Sequence, residues 1–302
     1  MAAFLMITGC SKQSPREQEN TSTGGSVTIS DDTVHQLPMP KVPATLATPE
    51  DRASYLAAHF WDGMDWSDSS LVSDTAFMEQ NFANFIQIAS MTDENSVKEA
   101  MGHLVKGATA DSLSAGVIIS IAEKYLYNPN SPMKDEGAYI AFAEALLDCQ
   151  SINLADRERT RWRLEASRKN RPGATAPDFE FIRPDGRHET LKSWIHSSGA
   201  GSNMLIFYEP GCESCDRILG SLASSNELNE AITAGEIAVL AVYPDEDIDS
   251  WRATAPSLPR NWTVARDAGS INERELYILP AMPTIYLIDD KGTILVKDMR
   301  VE

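Results

Sequence analysis

Apolar and polar positions along this chain follow two different periods, and the change falls near residue 170. In the first part, Phe77, Asn81, Phe85 and Ile88 share one helical face, which Phe82 and Ile86 broaden. Upstream, Pro49-Glu-Asp-Arg precedes the apolar set Tyr55, Leu56, His59 and Phe60, with Thr48 as N-cap and Asp51 three residues on. Val117 to Leu126 is a strongly apolar helix that Asn128-Pro129 stops, Tyr139 to Leu147 makes another, and a charged helix runs from Asp156 to Lys169. This pattern predicts an all-α domain over 47–170, with about five helices in a bundle or array.

From 171 to 302 the pattern is that of strands alternating with helices. Met204 to Phe207 is apolar without alternation, which suits a strand buried on both faces, and Glu236 to Val242 reads as the next parallel strand. Asp245 to Trp251 starts a solvated helix whose acids complement the dipole. Ile285 to Asp289 and Thr293 to Val296 are strands on either side of the turn at Asp290-Lys-Gly292. The fold class is therefore multi-domain, an all-α domain followed by an α/β domain with a central mixed sheet flanked by helices. The last strand is expected to end so near Glu302 that a C-terminal helix is not expected to follow it in this sequence, and one face of the sheet is expected to be covered by the helical domain or a partner.

Composition narrows the function. The 302 residues are 42% hydrophobic and 23% charged, ordinary globular values with room for two cores. A formal net charge of −18 argues against nucleic acid as a partner, because phosphate backbones require Lys and Arg clusters that this chain lacks. No apolar run reaches the roughly 20 residues of a membrane span.

The candidate chemistry lies at Cys212-Glu-Ser-Cys215. Pro210-Gly211 stops the strand that ends near Phe207, and a helical pattern follows, so Cys212 stands at a helix N-terminus. Unpaired N–H groups and the positive end of the dipole there favour a thiolate. Cys215, one turn on, is placed to close a disulfide with Cys212 and to be the more buried, resolving thiol. Two other readings stand beside a redox pair: a purely structural bridge, or half of a zinc site. Zinc would need a second pair at comparable spacing, and Cys10 and Cys149 lie far away in other segments. Cys149, after Ala145-Leu-Leu-Asp, reads as a small core residue. The histidines at 35, 59, 103, 188 and 196 show no ligand spacing. No metal and no cofactor beyond the Cys212–Cys215 disulfide is expected.

Ala281-Met282-Pro283-Thr284 before the strand at Ile285, Pro172-Gly-Ala-Thr-Ala-Pro177-Asp-Phe179, and Pro184-Asp-Gly186 add context to the Cys pair. With those motifs in that order, the α/β part resembles the thioredoxin superfamily, and within it the membrane-tethered TlpA/ResA-like branch. The resemblance implies a cis Met282–Pro283 bond packed against the Cys pair. It also implies a substrate groove formed by Met282, Pro283, Thr284, Pro210 and Gly211. The family's proton-handling carboxylates do not carry over: Ile206 stands six residues before Cys212, and Ile218 three residues after Cys215. Glu209 is the candidate relay. Glu213 and Asp216 are further nearby carboxylates, which would disfavour a thiolate by like-charge repulsion. Tyr125-Leu-Tyr-Asn-Pro-Asn-Ser-Pro-Met-Lys134, with Tyr55 to Trp66, resembles a domain of unknown function that precedes thioredoxin-like domains in lipoproteins of gut anaerobes.

Ile7-Thr8-Gly9-Cys10 resembles the bacterial lipobox, although nothing basic precedes Phe4. It implies a signal peptide over 1–9 and lipid on Cys10. Residues 10–46, rich in Ser, Thr, Gly, Gln, Glu and Pro, read as a lipidated disordered tether.

The leading expectation is a lipid-anchored, periplasm-facing thiol–disulfide oxidoreductase of the cell envelope, with protein thiols and disulfides as partners and a thioredoxin-type electron donor. A non-catalytic docking lipoprotein with a permanent disulfide is the alternative. A thiol peroxidase is a third, minor reading: a peroxiredoxin pattern starting at Pro210 has Ser214 in place but Arg217 where its Cys belongs.

Overall fold

Thr48 caps the first helix in the computed structural model, which describes residues 35–301, by accepting the Asp51 N–H at 3.0 Å. That helix, α1 (Pro49–His59), is followed by α2 (Ser69–Ser73), α3 (Thr75–Ala89), α4 (Glu94–Ala108), α5 (Ser112–Ala122), α6 (Glu136–Asp148) and α7 (Leu154–Arg168). Asp68, Asp74, Asp93, Asp111 and Asp135 cap α2 to α6 with their carboxylates, and Asn153 caps α7. A π-turn over Glu123–Tyr127 extends α5 and ends at Asn128. Phe60, Met78, Phe82, Phe85, Met101 and Leu104 are among the fully buried side chains of this core.

The sequence reading of about five helices misses α2 and α4. The second omission is the larger one, because α4 packs between α1 and α6 and buries Ala100, Met101, Leu104, Val105 and Ala108. Cys149 is half-buried at the end of α6, packed against the core, and its sulfur accepts the Thr109 hydroxyl at 3.5 Å.

The α/β part runs β1 (Glu180–Ile182), β2 (His188–Thr190), α8 (Leu191–Ser198), β3 (Ser202–Phe207), α9 (Glu213–Ser224), α10 (Asn226–Thr233), β4 (Ile237–Tyr243), α11 (Ile248–Thr254), β5 (Thr263–Asp267), β6 (Thr284–Asp289) and β7 (Ile294–Val296). The sheet has seven strands in the order β2-β1-β5-β4-β3-β6-β7. It is mixed: β3, β4 and β5 are parallel, while β6, β7, β1 and β2 pair antiparallel.

Alternation along β3 divides the core. Leu205 and Phe207 join Trp194, Ile195 and Tyr286 on one face, whereas Met204, Ile206 and Tyr208 join Cys215, Leu219 and Trp251 on the other. Register sets the site. Phe207 is opposite Val242 on its parallel side and Thr284 on its antiparallel side, so the loop leaving β3 meets the loop entering β6.

No helix follows β7 among the described residues. The chain turns at Asp298, whose φ is +53°, and the Met299 N–H bonds the Ile285 carbonyl at 3.0 Å. Met299 and Val301 pack on the same side of the sheet as Cys215, where the sequence reading left a face open. This segment also ties the two parts together. Lys297 Nζ lies 2.7 Å from Glu136 Oε1 and donates to the Lys169 carbonyl at 2.9 Å. Lys134 pairs with Asp298, the Arg300 guanidinium donates to the Ser131 carbonyl, and the Asn170 amide donates to the Leu276 carbonyl at 2.9 Å. The lipobox, Cys10 and the tether up to residue 34 lie outside the described residues.

Candidate functional site

Cys212 is half-buried and forms the N-cap of α9. Gly211 makes the turn into it with φ +77°, a left-handed conformation that a Cβ would strain. The Cys215 N–H lies 3.4 Å from Cys212 Sγ, so the helix offers a donor to the sulfur as a capping oxygen would receive one. On the other side, the Cys212 thiol donates to the Met282 carbonyl at 3.9 Å. The Met282–Pro283 bond is cis, as the resemblance implies.

Cys215 is fully buried, and its sulfur accepts the Glu209 N–H at 3.5 Å. Burial pushes its thiol up to about 12 against a usual 9.0, the backbone donor of Glu209 offsetting only part of that. The two thiols therefore differ in accessibility: one can be reached from solvent and the other is held protonated beneath it.

The remaining predicted site residues divide. Met282, Pro283 and Thr284 line a cleft of about 440 Å³ next to Cys212. Thr284 contributes backbone more than side chain, because it is buried and its hydroxyl donates to the Ala281 carbonyl at 2.7 Å. Pro210, Gly211 and Cys212 itself do not border this cleft; the first two make the turn that presents Cys212 beside it. Glu209 is exposed, and its link to Cys215 runs through its backbone N–H. The residues beneath Cys215 are apolar or aromatic: Ile206, Tyr208 and Trp251 share its cluster, and burial raises the Tyr208 phenol well above its ordinary range.

Sequence reasoning did not place Ser214, Arg217, Asn130, Lys134 or Arg300 in the site, yet all line the same cleft. Spacing could have found the first two with Ile218, since positions 214, 217 and 218 share one helical face. Nothing local could have found residues 130, 134 and 300. Away from the site, His59 Nδ1 is 2.7 Å from Asp62, His103 Nδ1 is 2.7 Å from the Ala58 carbonyl, and His188 pairs with Glu180. Among the described residues no group of three or more His, Cys, Asp and Glu side chains is arranged to hold a metal ion, and no helix is long and apolar enough to cross a membrane.

Residues 9–170 match the family described as Domain of unknown function (DUF5106). Among solved structures, a thioredoxin-like protein from Bacteroides caccae is similar at 30% identity with a TM-score of 0.81, over 89% of this chain and 96% of that one. At that coverage the similarity spans both the helical and the α/β parts. A conserved protein of unknown function from Bacteroides fragilis is similar at 32% identity, over 43% of this chain and 93% of that one, with a TM-score of 0.41. The thioredoxin domain of a thiol-disulfide oxidoreductase from Bacteroides vulgatus is similar at 20% identity, over 43% of this chain and 90% of that one, with a TM-score of 0.38. No curated protein matches the chain.

Proposed function

The chain belongs to the DUF5106 family, with a thioredoxin-like α/β part after the helical one, and from that premise we propose that it is a thiol–disulfide oxidoreductase of the cell envelope. The observation that carries the reading is the pair itself: a reachable sulfur at a helix N-terminus, facing the cis-proline loop, with a buried protonated thiol beneath it.

The chemistry is an exchange of two electrons and two protons. The Cys212 thiolate attacks one sulfur of a substrate disulfide; a Cys212–substrate disulfide forms, the substrate S–S bond breaks, and the departing thiolate takes a proton. Cys215 then gives up its proton and attacks the Cys212 sulfur, releasing the second substrate thiolate, which is protonated in turn. Substrate leaves as a dithiol and the pair is left as a disulfide. A thioredoxin-type dithiol restores the pair by the same steps reversed. The raised Cys215 thiol keeps the resolving sulfur protonated until the mixed disulfide has formed. Glu209 is exposed and its backbone N–H reaches the Cys215 sulfur, so its carboxylate is the group we assign to relay that proton to solvent.

Ile7-Thr8-Gly9-Cys10 supports export and a lipid on Cys10, which would hold the enzyme at a membrane facing the periplasm. Labelling of the full chain with radioactive palmitate in a lipoprotein-processing bacterium, lost in Cys10→Ser, tests the anchor; a wild-type chain without label removes it.

The redox reading is tested with Cys215→Ser and a peptide containing one disulfide. The variant is predicted to accumulate a mixed disulfide on Cys212, seen as one peptide mass added and reversed by dithiothreitol. Absence of the adduct under conditions where free cysteine reacts with the peptide would leave the permanent-bridge reading.

A further inference from the structure

The cleft beside Cys212 has a charge opposite to that of the molecule. The chain carries 44 acidic and 26 basic residues, yet the cleft lining contains Lys134, Arg217 and Arg300 against one acid, Asp298. Lys134 and Asp298 neutralise each other as an ion pair. Arg300 donates to the Ser131 carbonyl, a neutral acceptor, and also borders a neighbouring cavity that holds Asp135, Glu136 and Asp298, with none of which it forms an ion pair among the described residues. Arg217 is exposed on α9, and among the described residues neither it nor Arg300 has a carboxylate partner. The acids close to the Cys pair face elsewhere: Glu209, Glu213 and Asp216 are exposed and none lines the cleft.

Four elements enclose this space. The face of α9 that carries Ser214, Arg217 and Ile218 forms one wall, and the cis-proline loop forms the floor next to Cys212. Residues 298–301 and the Pro129-Asn130 turn of the helical part close the far side. The helical part is held there by the Lys297, Lys134, Arg300 and Asn170 contacts described above. It is therefore a wall of the cleft that adjoins Cys212 through Met282, although neither cysteine lines that cleft.

We propose that this cleft binds an extended polypeptide segment with Asp or Glu residues next to the cysteine that Cys212 attacks, and that Arg217 and Arg300 select it. Guanidinium groups match carboxylates with two parallel hydrogen bonds; Arg217 and Arg300 are both exposed, so each pair adds modestly and is screened by salt, and selection comes from the two acting together. The assignment names the substrate class of the redox site and rests on the redox reading given above, while the binding it requires does not depend on that chemistry.

Two readouts on the full-length chain separate the two ideas. First, a fluorescein-labelled peptide without cysteine, carrying a Glu-Asp-rich stretch, is titrated by anisotropy against its Lys-rich counterpart. Wild type is predicted to bind the acidic peptide at least tenfold more tightly, with the difference shrinking as salt rises. Arg217→Gln with Arg300→Gln should erase it, and Asn130→Asp, which places a carboxylate on the far wall, should reduce it. Second, the same two sequences bearing a disulfide are compared as substrates, and the acidic one should show the lower KM with similar kcat. Equal binding of both peptides by wild type, or a preference that survives the double substitution, would overturn the proposal. Acid-selective binding without disulfide reduction would uphold the cleft and sink the redox reading instead.

Discussion

The backbone amide of Cys215 points at the sulfur of Cys212 across 3.4 Å, so the first turn of α9 supplies a donor to the sulfur that has to carry charge. The same turn buries Cys215 completely. A single helix start thus produces two thiols of unlike reactivity.

Alkylation measures that difference. Reduced native protein treated with iodoacetamide near pH 8 and mapped after cleavage at Glu213 should carry the label at Cys212 and not at Cys215, whose thiol is buried and pushed up to about 12. Equal labelling of both positions in the folded protein would contradict the assignment.

The raised Cys215 thiol also makes stability depend on pH. Between its unfolded value of 9.0 and its folded value of about 12, the unfolded chain has released a proton that the folded chain keeps, so stability falls as pH rises through that window. Buried tyrosines such as Tyr208 and Tyr277 titrate abnormally in the same direction, so the informative quantity is the difference from Cys215→Ala. Urea denaturation of the reduced proteins should show a shallower decline above pH 9 for the variant; parallel curves would contradict the burial argument.

Gly211 is held at φ +77° with open space around its Cα, so Gly211→Ala costs backbone strain alone. The expected loss is about 1 to 2 kcal/mol in urea denaturation, and Cys212 exchange should slow because its presentation shifts.

Lys297 is almost fully buried between Glu136 and the Lys169 carbonyl. Lys297→Met keeps the stem but strands Glu136 with only Lys134, 4.0 Å away. Removing one partner of a buried pair costs about 3 kcal/mol, and here the loss falls on the junction of the two parts. Unfolding followed by tryptophan fluorescence and by circular dichroism should separate into two transitions. Coincident, unshifted transitions would show that the pair does not hold the junction.

Much of the α/β part was legible because its cues are local. Met204 to Phe207 is buried throughout, as an unalternating run implies, and Pro210-Gly211 marks the turn before the Cys helix. Strand β5 was not legible: Thr263-Val-Ala-Arg-Asp267 places charges in a strand, and the buried Asp267 is satisfied by the Ile271 N–H at 2.8 Å and the Ser270 hydroxyl at 3.3 Å. Strands β1 and β2 have three residues each, too few to show a period. In α4 the buried face is built from Ala100, Met101, Leu104, Val105 and Ala108, and Gly102 and Gly107 dilute it, although the Asp93 cap was a readable start. The cleft was beyond local reading. Asn130, Arg217, Met282 and Arg300 meet only because β3 lies beside β6 and the last segment turns back onto the helical part.

The equilibrium potential of the Cys212/Cys215 pair tests the central claim most directly. Titrated against dithiothreitol and glutathione, with Cys212→Ser as control, the pair is predicted to exchange rapidly and to lie between about −280 and −120 mV, the range of working thiol–disulfide enzymes. A value well below −300 mV, with exchange as slow as that of a buried structural bridge, would contradict it.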